Sequence, residues 1–202
     1  MKIVEDLLPR NCWGPPRGKT FFIVLHATAG STYAGAKLAY QQRNVSAHFT
    51  IDPDGTIYRN VPEDAVAYHA GVSQWGRFGH PSTGINSLNP WSLGIELVHP
   101  NEMSFGWSPQ QIEACKALVV HLAKRYSVPW NHILTHAMIS PGRKTDPVGA
   151  TWYHDILEAV RPSRQRILLF DGSDWQDVSG QRVNQAGLTV NAEGDTVWIR
   201  GR

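Results

Sequence analysis

The sequence contains too few cysteines to build a disulfide framework. Only Cys12 and Cys115 are present among its 202 residues, whereas small secreted folds that depend on disulfides carry several pairs. One bridge between the two is chemically possible, but we expect both residues to be free thiols.

Long apolar segments are also missing. No stretch approaches the roughly 20 apolar residues that a membrane-spanning helix requires, and residues 1–9 lack the long apolar core of a secretory signal. We therefore expect a protein that does not insert into a membrane and that stays in the cytoplasm as synthesised. It would reach an extracellular target only by another route, such as a pore made by a separate protein.

The chain has no marked excess of charge of either sign. Nineteen basic and seventeen acidic residues give a formal net charge of +2, which is too balanced for the dense phosphate contacts of a nucleic-acid-binding protein. Charge therefore identifies no partner, and we expect a monomer without a nucleic-acid partner.

Aromatic rings and imidazoles, by contrast, are plentiful. The chain has eight tryptophans and nine histidines. Flat rings suit carbohydrate or peptide surfaces, and imidazole suits metal binding and proton transfer. Both residue types are also ordinary core residues.

The pattern of apolar residues predicts an α/β fold with a mixed central β-sheet flanked by helices. A hydrophobic content of 42% is enough to bury a full core. We expect a main domain over residues 1–164 and a β-rich appendage over residues 165–202 that packs on it or extends it. The predicted strands are 21–25, 93–98, 133–135, 167–170, 188–190 and 196–199, with a hairpin of 48–51 and 56–59 and helices at 33–42, 109–126 and from 151 to near 162.

The second predicted helix has a clear amino-terminal signature. Ser108 precedes it as the expected capping residue, Pro109 occupies the first helical position and Gln111 the third. This pattern is typical of a helix start.

Two histidines follow predicted strands of the central sheet. His26 closes the apolar run at 21–25, and His136 comes directly after the strand at 133–135. In such folds ligands gather at the carboxyl ends of central strands, and zinc hydrolases commonly use three His or carboxylate ligands. Asp146 is the natural third ligand. Because no compact motif links the two histidines, hydrogen-bonded core histidines and a turn aspartate remain the alternative.

Two charged residues complete the predicted site. Glu96 lies inside an otherwise apolar strand, where an unpaired charge is costly, and we expect it to act as a general base beside the metal. Lys144 stands two residues before Asp146, so in an extended loop both side chains project to one side, where the ammonium could stabilise an oxyanion. The alternatives are a glutamate facing solvent on an edge strand and a solvated surface lysine.

Five motifs, in this order along residues 20–161, resemble the zinc-dependent N-acetylmuramoyl-L-alanine amidases. This is the amidase-2 family, related to peptidoglycan recognition proteins, and the last motif looks most like its AmpD-type branch. The motifs are Phe22-Ile23-Val24-Leu25-His26, Val45-Ser46-Ala47-His48-Phe49, Ala67-Tyr68-His69-Ala70-Gly71, Gly94-Ile95-Glu96-Leu97 and Pro141-Gly142-Arg143-Lys144-Thr145-Asp146-Pro147.

The resemblance implies an enzyme with one zinc ion per chain, held by His26, His136 and Asp146. It makes Glu96 the base and Lys144 the electrostatic stabiliser. The implied reaction is hydrolysis of the amide between the lactyl group of N-acetylmuramic acid and the L-alanine of the peptidoglycan stem peptide. One departure is Ala47, because some members carry a tyrosine just before the histidine of the second motif.

Four further residues are candidates for substrate binding. His69 lies in a matched motif and could line the cleft, and Arg143 could meet a substrate carboxylate. Trp75 and Trp91 both lie within a long loop over residues 72–92, bracket the Glu96 strand together with Trp107, and could stack on sugar rings. The alternatives are hairpin packing for His69, a surface salt bridge for Arg143 and simple loop packing for the two tryptophans. His48 is expected to be structural.

The expected partners are bacterial peptidoglycan or soluble muropeptides. The appendage and the long tryptophan-bearing loop favour a cell-wall lytic enzyme such as a phage endolysin, because a polymeric substrate rewards extra contact surface. A cytoplasmic muropeptide-recycling amidase is the alternative. A non-catalytic peptidoglycan-binding module is a third possibility, although such members lose metal ligands and all three candidates are present here.

Overall fold

The computed structural model of the chain describes residues 3–80, 82 and 84–161, and beyond them the backbone of four short strands. The chain divides into two compact units, Met1–Val160 and Arg161–Arg202. The predicted domain boundary and the predicted packing of the appendage stay predictions.

The described part of the first unit contains eight strands and four α-helices. The strands are β1 (Ile3–Glu5), β2 (Trp13–Pro16), β3 (Phe22–Ala27), β4 (Phe49–Ile51), β5 (Ile57–Arg59), β6 (Ala65–Ala67), β7 (Ser92–Leu97) and β8 (Ile133–Thr135). The helices are α1 (Tyr33–Arg43), α2 (Pro109–Tyr126), α3 (His136–Ile139) and α4 (Tyr153–Val160).

Six of these strands form one mixed sheet with the order β1-β5-β4-β7-β3-β8. β3 lies between β7 and β8 and is parallel to both, and β7 is also parallel to β4. β4 and β5 form the predicted antiparallel hairpin, where Gly55 adopts a φ of 85° that favours glycine. The sheet and its helices confirm the predicted α/β fold class.

The two faces of the sheet bury different side chains, because successive residues of a strand point to opposite sides. One face packs against α2 and α4 and forms the main core. Each fully buried aliphatic side chain contributes roughly 1.5 to 3 kcal/mol, so this core fixes the strands that carry the site. Its fully buried members from the two central strands are Ile23, Leu25, Leu93, Ile95 and Leu97.

The start of α2 differs from the prediction. The Ser108 hydroxyl does not cap the helix; it lies within hydrogen-bond distance of the carbonyl oxygen of Pro53 and of the Gln110 side chain. The Gln111 amide is buried and donates to the carbonyl oxygens of Ile51 and Val98. Gln111 therefore joins α2 to the carboxyl ends of β4 and β7 instead of closing a capping box.

Two strands near the amino terminus were not predicted. β1 pairs with β5 at the edge of the main sheet, and β2 pairs antiparallel with β6 as a separate two-stranded sheet. β2 includes Pro15 and Pro16. Proline lacks the N–H donor of a ladder and is therefore confined to positions such as strand edges.

The described backbone of the second unit consists of β9 (Ile167–Phe170), β10 (Trp175–Asp177), β11 (Arg182–Val183) and β12 (Trp198–Ile199). These strands form one sheet with the order β11-β10-β9-β12. The predicted strand at 167–170 is confirmed, and that at 196–199 is present as β12. The predicted strand at 188–190 lies outside the described residues.

The cysteine prediction is confirmed, because Cys12 and Cys115 are free and buried. None of the helices in the described ranges is both long and apolar enough to cross a lipid bilayer.

Candidate metal centre

Three predicted ligands meet at the carboxyl ends of neighbouring parallel strands. His26 is near the end of β3, and His136 follows β8 as the first residue of α3. Asp146 lies in a loop that returns to this point, and its backbone carbonyl oxygen accepts from the backbone N–H of Ala137. One ligand atom from each of the three lies within 4.8 Å of the others. All three residues are buried.

The distances within the triad suit a small divalent cation. Oδ2 of Asp146 lies 3.0 Å from Nδ1 of His136 and 3.6 Å from Nδ1 of His26. A tetrahedral ion with bonds of about 2.0 to 2.1 Å separates its ligand atoms by roughly 3.3 to 3.4 Å. The two observed distances bracket that spacing.

The surroundings of Nε2 of His136, the ring nitrogen that faces away from Asp146, also fit a metal ligand. Nε2 of His136 lies 3.2 Å from the carbonyl oxygen of Ala70 and 3.4 Å from Nη2 of Arg143. With its hydrogen on Nε2, the ring donates to Ala70, which is the arrangement usual for a metal-bound imidazole. When the ring is neutral, Nδ1 then presents a lone pair to the carboxylate oxygen of Asp146. Two facing acceptors repel unless they share a cation. Two imidazoles and a carboxylate are ligands that zinc prefers.

Burial keeps the first ligand in the form that binds metal. Desolvation lowers the pKa of His26 to about 4, so its ring is neutral at pH 7. Burial alone would raise the pKa of Asp146, but the neighbouring His136 and His26 side chains hold that pKa well below its usual value. The site therefore combines neutral imidazole with an ionised carboxylate.

Glu96 stands beside the triad on the adjacent strand. It is the register partner of His26 across the β3–β7 pair, and register partners point to the same face of a sheet. Its Oε2 atom is buried and has no hydrogen-bond partner among the described residues. Burial and the negative charge of Asp146 raise the pKa of Glu96 to about 8, and the Lys144 ammonium opposes them.

Lys144 lies half-buried on the loop that carries Asp146. Its positive charge lowers the pKa of both His26 and Glu96. The predicted base and the predicted stabiliser are thus brought together with the triad.

A cavity of about 570 Å³ is lined by Glu96, His136, Lys144 and Asp146, and His26 is not among its lining residues. Its lining comes from α1, from the ends of the central strands and from the loop after α3. The cavity is large enough for part of a muropeptide-sized ligand. The charged and imidazole side chains among its lining residues are Arg43, His69, Glu96, His136, Arg143, Lys144 and Asp146.

Of the four predicted substrate-binding residues, two line the cavity and two do not. His69 lines the cavity, but its two ring nitrogens lie at hydrogen-bond distance from His26 and Ser92. Arg143 also lines it, and its Nη2 lies within hydrogen-bond distance of two backbone carbonyl oxygens, of the Ser140 hydroxyl and of Nε2 of His136. Trp75 and Trp91 pack beside a hydrophobic cluster instead, and they are absent from the described lining. Their contacts with substrate stay predictions.

Tyr40 is a lining residue that the sequence did not indicate. It lies on the buried side of α1, and its hydroxyl lies 3.1 Å from Oγ1 of Thr50, the register partner of Glu96. Burial, followed by the charge of Glu96, raises the pKa of Tyr40 well above its usual value. The only available signal is its helical spacing from Ala36, the other buried residue of α1.

His48 is structural, as its environment shows. It is fully buried, its Nε2 donates to the carbonyl oxygen of Ala65 and its Nδ1 accepts from the backbone N–H of Gly94. Burial lowers its pKa to about 3. The neutral ring joins the segment of β6 to the middle of β7.

The buried histidines predict that the metal-free protein loses stability in acid. Unfolded histidine titrates near 6.5, whereas the pKa is about 4 for His26 and about 3 for His48 in the folded protein. As the pH falls below about 6.5, these two histidines become protonated in the unfolded chain but stay neutral in the folded chain until the pH approaches their lower folded pKa values. The free energy of unfolding should therefore fall as pH is lowered, by up to about 1.4 kcal/mol per pH unit for each histidine.

Denaturant unfolding in a chelator at pH 7 and pH 5 measures this effect. His48→Gln is expected to be less stable at pH 7 but to lose less stability on going to pH 5. His121→Gln, at an exposed position on α2, is the control and should behave like the wild type. An identical loss of stability in the His48→Gln variant and in the wild type would contradict the assignment of His48 as a buried neutral ring.

Comparison with protein families identifies one match. The family model described as N-acetylmuramoyl-L-alanine amidase, Amidase_2, matches residues 16–149. This range contains the triad, Glu96 and Lys144.

Two curated relatives show the extent of the likeness. The chain is 37% identical over 122 residues to the 1,6-anhydro-N-acetylmuramyl-L-alanine amidase AmpD of Citrobacter freundii, covering 60% of each protein. It is 30% identical over 139 residues to the N-acetylmuramoyl-L-alanine amidase AmiD of Escherichia coli K12, covering 62% of this chain and 48% of that protein. The chain thus spans about half to three fifths of the length of these relatives.

A solved structure shows the same fold. It is the complex of AmiD from E. coli with the substrate anhydro-N-acetylmuramic acid-L-Ala-D-gamma-Glu-L-Lys. The TM-score is 0.62 at 26% sequence identity, and the match covers 74% of this chain and 62% of that chain.

Proposed function

The chain belongs to the N-acetylmuramoyl-L-alanine amidase family, Amidase_2, and we propose that it hydrolyses the amide between the lactyl group of N-acetylmuramic acid and the L-alanine of a stem peptide. The observation that carries this proposal is that His26, His136 and Asp146 meet beside Glu96, at a cavity lined by His136, Asp146 and Glu96. A recognition module would need the cavity, but not a general base next to a metal triad.

One zinc ion per chain is the proposed cofactor. His26 and His136 would hold it through Nδ1 and Asp146 through a carboxylate oxygen. When bound, zinc supplies Lewis acidity, which makes water more acidic and polarises a carbonyl group. Neutral imidazoles and an ionised carboxylate are the protonation states that such binding requires.

Glu96 is the proposed general base. Its carboxylate takes a proton from the attacking water and then donates it to the amine of L-alanine as the amide bond breaks. The surroundings of Glu96 favour this double task, because burial raises its pKa to about 8. A group with a pKa close to the working pH can both accept and return a proton.

Lys144 is the proposed stabiliser of developing charge. Attack on the amide carbonyl places negative charge on its oxygen, and an ammonium close to that oxygen stabilises the charge. Lys144 lies in the same cavity, and its charge acts on both Glu96 and His26. Water supplies OH to the lactyl carbonyl and H to the released amine, so the products are a carboxylic acid and a free stem peptide.

Soluble 1,6-anhydro-muropeptides are the first substrates that we propose. The support is the likeness to a 1,6-anhydro-N-acetylmuramyl-L-alanine amidase and to an AmiD structure that contains an anhydro-muropeptide. This role would place the protein in the cytoplasm. A lytic role on intact peptidoglycan is the second candidate, supported by the long loop over residues 72–92 and the additional C-terminal unit.

Parallel digestion of a soluble anhydro-muropeptide and of intact sacculi tests both roles. Products are identified by mass, and the zinc content of the same preparation is measured. We expect free stem peptide from the soluble substrate; release from sacculi as well would support the lytic role. If the zinc-loaded protein binds muropeptide but releases no stem peptide from either substrate, the proposal is wrong and the chain is a binding module.

A further inference from the structure

We propose that His69 and Ser92 are positioning residues for His26. By fixing the ring nitrogen of His26 that carries the hydrogen, they direct the lone pair of the other nitrogen, Nδ1, toward Asp146. The inference rests on the proposed function, because it concerns a metal at this triad. It gives His69 a task different from the substrate contact that the sequence suggested.

The chain of hydrogen bonds begins at Ser92. Its hydroxyl has one hydrogen, and it donates that hydrogen to the carbonyl oxygen of Leu88 at 2.7 Å, because a carbonyl oxygen only accepts. Nε2 of His69 lies 3.0 Å from the same hydroxyl oxygen. Ser92 can only accept there, so Nε2 of His69 must carry a hydrogen.

The next hydrogen bond determines which ring nitrogen of His26 carries the hydrogen. A neutral imidazole carries one hydrogen, so a His69 ring protonated at Nε2 has an acceptor at Nδ1. Nδ1 of His69 lies 2.9 Å from Nε2 of His26, which therefore donates. Nδ1 of His26 is left with its lone pair, and this atom lies 3.6 Å from Oδ2 of Asp146.

The backbone of β7 holds the His69 ring in place. A Cβ atom built on Gly94 would lie 2.4 Å from Cγ of His69, so a side chain at position 94 would displace the ring. Ser92, Gly94 and Glu96 alternate along β7 and face the same side. One strand thus supplies the end of the hydrogen-bond chain, the space for the ring and the proposed base.

The segment of His69 and Ala70 supports both imidazole ligands. The side-chain oxygen of Asn89 accepts from the backbone N–H groups of both residues. The side chain of His69 contacts His26, and the carbonyl oxygen of Ala70 lies 3.2 Å from Nε2 of His136. A single anchored segment therefore sets the outer hydrogen bonds of both rings, and such outer bonds typically change metal affinity by about 10- to 100-fold.

Two replacements of His69 separate hydrogen bonding from packing. In His69→Asn, the side-chain oxygen can take the place of Nδ1 as an acceptor. His69→Leu provides a branched side chain with no acceptor at all. A role in packing alone favours leucine, whereas the proposed role favours asparagine.

Zinc affinity, measured by competition with a chromophoric chelator at pH 7.5, is the first readout. We expect His69→Leu to bind zinc about 10- to 100-fold more weakly than the wild type and His69→Asn to retain most of the affinity. Equal affinities of the two variants, or tighter binding by leucine, would overturn the proposal. A wild type that binds no zinc would instead overturn the proposed function on which it rests.

Imidazole ¹⁵N NMR of the metal-free wild type is the second readout and does not depend on any variant being folded. We expect the hydrogen of His26 on Nε2 and that of His69 on Nε2. In Ser92→Ala the His69 hydrogen loses its fixed acceptor, so a mixture of the two ring forms is expected. A wild-type His26 with its hydrogen on Nδ1 would overturn the proposal.

Discussion

Replacing Glu96 by alanine is expected to lower the rate of amide hydrolysis by about 100- to 10,000-fold, the usual contribution of a general acid or base, and to leave one zinc ion bound. Glu96 is the register partner of His26, but it does not belong to the triad. Its buried Oε2 has no hydrogen-bond partner among the described residues. Removing the carboxylate should therefore cost the reaction its proton carrier without breaking a bond that holds the fold.

Initial rates on a soluble anhydro-muropeptide and zinc content per chain measure the two halves of this prediction. Glu113→Ala is a matched control, because Glu113 is an exposed glutamate on α2, away from the cavity lining, and it should keep the wild-type rate. Full activity of the Glu96→Ala variant would exclude Glu96 as the base. Loss of its zinc would assign the residue to the metal instead.

His136→Ala is expected to lose both the metal and the activity. The substitution removes one of three proposed ligands, and it also removes the partner that lies 3.0 Å from Asp146 and helps to keep the pKa of that carboxyl low. The loss of zinc affinity should exceed the roughly 10- to 100-fold typical of a residue that only supports a ligand. It should therefore also exceed the effect of His69→Leu.

Equilibrium dialysis against zinc, followed by metal analysis, measures this loss. His154→Ala is the control, since His154 is an exposed histidine on α4, and it should retain one ion per chain. Stoichiometric zinc in the His136→Ala variant would show that the ion is held elsewhere.

The sequence predicted the central strands and the triad for a physical reason. β3 begins with a continuous apolar run and β8 is short and mostly apolar. Polar residues at the ends of such strands fall at the carboxyl edge of a parallel sheet, where ligands bind. His26 and His136 therefore pointed to one place, although they are 110 residues apart. Glu96 was equally visible, because a carboxylate within an apolar strand needs a compensating environment.

The short strands and the helix start could not be predicted in the same way. β1 and β2 have three and four residues, too few to show a period. Their partners, β5 and β6, lie far along the chain. Gln111 matched a local capping pattern, but in the folded chain its side-chain amide donates to the distant carbonyl oxygens of Ile51 and Val98 instead.

The proposed positioning of His26 by His69 and Ser92 could not be predicted from the sequence for a similar reason. The alternation of Ser92, Gly94 and Glu96 within an apolar strand is visible in the sequence and indicates a polar face. The sequence does not show that the segment of His69 crosses that face. Only the fold brings a ring from one loop against a glycine 25 residues further along the chain.

A crystal structure of the zinc-loaded protein, with anomalous diffraction recorded at the zinc absorption edge, tests the central claim most directly. The expected result is one ion per chain bound by Nδ1 of His26, Nδ1 of His136 and a carboxylate oxygen of Asp146, with Glu96 nearby but not coordinated. An anomalous peak at other residues, or none at the triad in a crystal grown with excess zinc, would contradict it.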